Sequence, residues 1–118
     1  MNVEEYKSIS SRPDAFRREV LEATQRALTL RHPPSAMRLQ DVLSGDPVLK
    51  PELHQGDERS DYFIVDLNVS EAEQIMEHLV VAEVESLSAD GTTTPEASRF
   101  GSLVDAWVKY IDFCDAAS

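Results

Sequence analysis

Apolar residues recur along this chain mostly at three- and four-residue steps, the spacing of helical faces, and once at two-residue steps, the spacing of a strand. The longest helical stretch is 95–114. Phe100, Leu103, Val104, Trp107, Ile111 and Cys114 fall on one side of it, and Glu96, Arg99, Ser102, Asp105, Lys109 and Asp112 on the other. It holds the single tryptophan and is predicted to supply much of the core. Gly101 within it costs about 1 kcal/mol relative to alanine, which predicts close approach of another element there.

The other elements follow in chain order. Asn2 and Glu5 have capping-box spacing for a short first helix, with Val3, Tyr6 and Ile9 on one face. A second helix is predicted over 13–30, opened by Pro13, with Phe16, Val20, Leu21, Ala27 and Leu28 inward and a Glu22–Arg26 surface pair. Arg31, His32, Pro33 and Pro34 read as its stop, His32 serving as a cation at the helix C-terminus. Ser35 then caps a short helix over 36–43. Residues 47–60 hold no sustained period and are predicted to be a flexible internal loop.

The strand is 62–69, from Tyr62 to Val69, with Phe63, Val65, Leu67 and Val69 on one face. It needs a mate to satisfy its backbone: Val48–Leu53, the N-terminal part, or a second copy. Ser70 and Glu73 form a capping box for a helix reaching Ser86, with Ala72, Ile75, Met76, Leu79 and Ala82 inward. The run Leu79, Val80, Val81, Ala82 widens that stripe and predicts cover on more than one side. Together these elements predict a single small α+β domain, mostly helical. Its antiparallel C-terminal helix pair packs on a short sheet or hairpin.

Composition narrows the function classes. At 118 residues one self-supporting core is expected, and the single cysteine rules out an internal disulfide. No apolar run approaches the roughly 20 residues of a membrane span, and residues 1–10 lack the features of a secretory signal, so a cytoplasmic protein is expected. The net charge of −11 is unevenly placed. Residues 60–118 carry only Arg99 and Lys109 against twelve acids, whereas the first half is nearly balanced. Such a field repels nucleic acid and anionic lipid and attracts basic partners.

Candidate chemistry is sparse. Asp66, Asn68, Ser70 and Glu77 approximate a calcium-loop spacing, but Glu71 stands where the loop needs glycine, and a strand end followed by a helix cap explains the same residues. His32, His54 and His78 are not spaced for a helical metal site, and His78 reads as solvated on an acidic face. Cys114 lies on the apolar stripe of the last helix and reads as a small core residue. Neither a glycine-rich phosphate cradle nor a nucleophile elbow is present, and no carboxylate pair is singled out. No catalytic residue, cofactor or metal site is therefore assigned.

The acidic residues remain. Glu71, Glu73, Glu77, Glu85, Asp90, Glu96, Asp105 and Asp112 fall on the last two helices and their loop and are the candidate partner-binding residues, with Tyr62, Trp107 and Tyr110 as aromatic anchors where exposed. In size and charge alone the chain is similar to small acidic bacterial or phage-borne proteins that neutralise a basic protein, such as nuclease-toxin immunity proteins and nucleic-acid mimics. That resemblance implies a non-enzymatic, inhibitor-like module whose acidic C-terminal half docks a basic protein. The alternative is a self-associating structural or assembly protein, a homodimer joined through Tyr62–Val69.

Overall fold

A computed structural model describes residues 3–48, 50 and 61–117, the last by its backbone. The elements run α1 (Val3–Ser10), β1 (Ala15–Arg17), α2 (Arg18–Leu28), α3 (Pro33–Leu43), β2 (Tyr62–Ile64), α4 (Val69–Glu85) and α5 (Pro95–Ala117). The α+β class holds, with helices predominating and α4 packed closely along α5. No helix among the described residues is long and apolar enough to cross a membrane.

The strand finds its mate in the N-terminal part. β1 and β2 pair antiparallel, Ala15 opposite Ile64, Phe16 opposite Phe63 and Arg17 opposite Tyr62. The Val65 N–H donating to Asp14 O at 2.8 Å and the Arg18 N–H donating to Asp61 O at 2.7 Å extend the ladder at both ends. On the other edge of β2, the Val48 N–H donates to Tyr62 O at 2.7 Å. The rest of the predicted loop 47–60, apart from Pro47, Val48 and Lys50, lies outside the described residues.

β1 replaces the first turn of the helix predicted over 13–30. Pro13 sits at the second position of a turn closed by the Ala15 N–H on Arg12 O, a place its fixed φ suits as well as a helix start. The Arg12 guanidinium grips the buried Asp14 carboxylate at 3.0 and 2.6 Å across the same turn. The prolines after α2 also act differently from expectation. Pro33 and Pro34 are the first residues of α3, where a missing N–H costs nothing, and Ser35 is buried inside that helix instead of capping it.

Two boundaries move at the start of α4. The strand pairing ends at Ile64, although Phe63, Val65 and Leu67 go on alternating inward. Val69 is already helical, because the capping box is made by Asn68 and Glu71, not by Ser70 and Glu73. The Glu71 N–H donates to Asn68 Oδ1 at 2.8 Å, and the Asn68 N–H donates to Glu71 Oε1 at 3.2 Å. At the far end of the hairpin, Thr94 Oγ1 donates to Ser86 O at 2.7 Å and accepts from the Ala97 N–H, so one residue ends the loop and caps α5.

The core lies where α5 crosses the sheet. Phe16, Trp107 and Tyr110 pack ring to ring at centroid separations of 4.5 to 6.0 Å. Trp107 is fully buried, and its indole N–H donates to the buried Thr24 hydroxyl at 3.2 Å, which donates in turn to Val20 O. Tyr110 holds Leu67 from both sides: the Leu67 N–H donates to its hydroxyl at 2.8 Å, and the hydroxyl donates to the Leu67 carbonyl. Burial, helped by Cys114, pushes the Tyr110 phenol well above its usual range.

Gly101 does face a close approach, but of a side chain only. A Cβ there would meet Glu83 Oε2 at 2.7 Å, and no backbone stands nearby. Since a carboxylate end can swing aside, Gly101→Ala is expected to stabilise the fold by up to about 1 kcal/mol through helix propensity. A raised urea midpoint would show it, and a lowered one would mean that Glu83 is held in place.

Candidate functional site

The structure separates the eight predicted partner-binding acids into different roles. Glu71 belongs to the α4 cap and accepts from Arg38 at 2.7 Å, and Glu85 accepts from Arg31 at 2.7 Å. Both arginines come from the α2–α3 end of the chain, so these two acids dock α4 to α3 and to the α2–α3 turn and are neutralised in doing so. Asp90 closes the α4–α5 loop, accepting from the Ser88 and Thr92 hydroxyls and from the Thr92 N–H, around Gly91 at φ 85°. Those bonds lower its pKa to about 2. Glu96 lies in the first turn of α5, favourably placed against the helix dipole. Asp105 lines a hollow that also holds Lys109, and Asp112 is exposed two turns further along.

Burial acts to raise the Glu71 pKa, but the Asn68 N–H and Arg38 together outweigh it and hold the carboxyl below its usual range. Glu85 is lowered by its bond to Arg31 and by the charge on that guanidinium. For groups depressed in the folded state, the linked stability is present above the unfolded carboxylate pKa. It is lost as pH falls through the folded value, so acid loosens this seam.

Five of the eight acids, Glu73, Glu77, Glu96, Asp105 and Asp112, are exposed and make no ion pair among the described residues, and two of these stand out by what lies beside them. Glu73 and Glu77 stand one turn apart on α4. They continue into Val80, Val81 and Val84, which are 38%, 47% and 59% exposed. These five positions share one stripe at helical spacing, opposite the stripe of Ala72, Ile75, Leu79 and Ala82 that faces the core. The expectation that the valine run is covered on more than one side is therefore corrected. α5, α2 and α3 cover one side of α4, and among the described residues nothing is laid over the other.

The aromatic anchors do not serve. Trp107 and Tyr110 are core residues at 0% and 2% exposure, and Tyr62 is half-buried between the edge of Tyr6 and the guanidinium of Arg17. His78 is not free on an acidic face. It stacks on His32 with ring centroids 4.7 Å apart. His32 is the residue before α3, its Nδ1 2.6 Å from Ser35 Oγ, and not a cation ending α2, because α2 stops at Leu28. Cys114 is half-buried beside Tyr110. Asn68 and Glu71, within the calcium-like spacing, are occupied with each other's backbone, and no metal-holding cluster occurs among the described residues.

The α4 stripe is thus a surface that folding alone does not explain. It places paired negative charge and bare aliphatic area side by side on a rigid helix. Sequence reasoning named its two acids and missed its three valines as a surface, although the spacing 73, 77, 80, 84 marks one face. Comparison of the chain with protein-family models, with curated proteins and with solved structures finds no match.

Proposed function

We propose that the protein is a non-enzymatic binding module that docks a basic protein partner through the exposed face of α4, in the manner of an inhibitor or immunity protein acting in a reducing cytoplasm. The single observation that carries this reading is the stripe of Glu73, Glu77, Val80, Val81 and Val84. Aliphatic area flanked by charge is what a docking surface offers: the apolar part supplies affinity, and the charge supplies orientation and rate. A net charge of −11 adds a long-range field that draws a cationic partner in.

Reversing Glu73 and Glu77 to lysine is expected to slow association with such a partner by about tenfold or more at low salt. The measurement is capture from the source lysate on immobilised wild type and on the E73K/E77K variant, eluted by a salt gradient. A basic protein retained by wild type, released by salt and absent from the variant supports the reading. The same set retained on both surfaces, or binding indifferent to salt, removes it.

A further inference from the structure

With 22 acids in the chain, its few cations have partners in abundance. Six of the ten basic residues at described positions do form ion pairs within the chain. None of the other four forms a pair among the described residues: Lys7 is exposed on α1, and, the predicted Glu22–Arg26 pair not being made, Arg26, Arg99 and Lys109 are exposed on α2 and α5. These three gather on one groove between α2 and α5. A hollow of about 450 Å³ is walled by Val20, Ala23 and Leu103, with Arg26 and Arg99 at its rim. It continues past Val20 and Ser102 into a hollow of about 360 Å³ lined by Phe16, Ala106 and Lys109. Two acids also lie along it: Glu19, held by Arg17 at 3.7 Å, and Asp105.

We propose that this groove receives the α4 stripe of a second copy of the chain. The inference rests on the stripe being a docking surface and names a second occupant for it, one that is acidic as a whole but basic along this groove. The two surfaces are complementary in sign, in polarity and in length. Glu73 and Glu77 lead into valines on one, and Arg26 and Arg99 lead into Val20 and Leu103 on the other. The stripe from Glu73 to Val84 covers eleven helical steps, about 16 Å, and the α5 wall from Arg99 to Lys109 covers ten, about 15 Å. A chain cannot fill its own groove, because the stripe faces away from the side of α4 that packs on the core. The contact joins unlike surfaces, so a joined pair still offers one free stripe and one free groove, and association runs head to tail into rings or open chains. Net repulsion between copies opposes it at low salt. At 0.15 M salt the repulsion is screened beyond about 8 Å, while the paired charges stay within that distance.

Sedimentation equilibrium up to millimolar protein at 0.15 M salt tests the proposal, with circular dichroism confirming that each variant is folded. Wild type is expected to show mass above the monomer that rises with concentration. E73K/E77K and R26E/R99E are each expected to lose at least tenfold in association constant, and their equimolar mixture to regain it. The sign is diagnostic. Two Glu→Lys exchanges, each adding +2, take the net charge from −11 to −7, so charge repulsion alone would make that variant associate more readily. A wild type that stays monomeric overturns the proposal while leaving capture of a basic partner untouched. Assembly lost in E73K/E77K but kept in R26E/R99E also overturns it, since the stripe then docks elsewhere. Assembly that survives both variants and is broken by Ile64→Pro places the contact at the strand and overturns it as well.

Discussion

Trp107→Ala is expected to cost about 3–5 kcal/mol of unfolding free energy, a large part of the 5–15 kcal/mol typical of a whole domain. The side chain is fully buried at the crossing of α5 and the sheet, with Phe16 tilted against it at 4.5 Å and Tyr110 edge-on at 5.7 Å. Its removal leaves a cavity in a region fixed by two strands and two helices, where collapse is limited. Thr24 keeps its bond to Val20 O, so the loss is one of packing and not of an orphaned hydroxyl. Chemical denaturation followed by circular dichroism reads the effect. A cost under 1 kcal/mol would mean that the ring cluster is not the centre of the core.

Tyr110→Phe removes a single oxygen and is expected to cost about 2–4 kcal/mol, because both backbone groups of buried Leu67 lose their partner together. Leu67 lies in the extended link between β2 and α4, where neither a ladder nor a helix is available to satisfy it. The Leu67 amide is therefore expected to gain hydrogen-exchange rate beyond the change in global stability. Unaltered protection at that amide would show that another acceptor takes over.

Much of this architecture could be read from the chain, and the exceptions have physical causes. The α4–α5 hairpin was legible because its signals are local: acids and small polar residues at a helix start, a polar loop around Gly91, and Pro95 opening the last helix. Pro13 misled because the second position of a turn and the first position of a helix ask for the same φ. Pro33 and Pro34 misled similarly, since two prolines that cannot continue one helix can start the next. The candidate surface was half legible. Glu73 and Glu77 were named, but Glu71 and Glu85 were removed from the patch by Arg38 and Arg31, 33 and 54 residues away. Pairings over such distances leave no trace in local spacing. The exposure of Val80, Val81 and Val84 was hidden for a related reason: an apolar run does not say how many neighbours arrive to cover it.

The bonds from α5 back to the rest of the chain bear on how the protein is made. Trp107 reaches Thr24 across 83 residues and Tyr110 reaches Leu67 across 43, so the elements translated first have no finished core until α5 leaves the ribosome. Until then Phe16, Phe63 and Leu67 remain open to solvent or to a chaperone, and a nascent chain stalled before residue 107 presents the aggregation-prone surface typical of incompletely assembled domains. Folding is therefore expected to complete only with the last helix, and ribosome-bound chains ending before α5 should be protease-sensitive throughout their length.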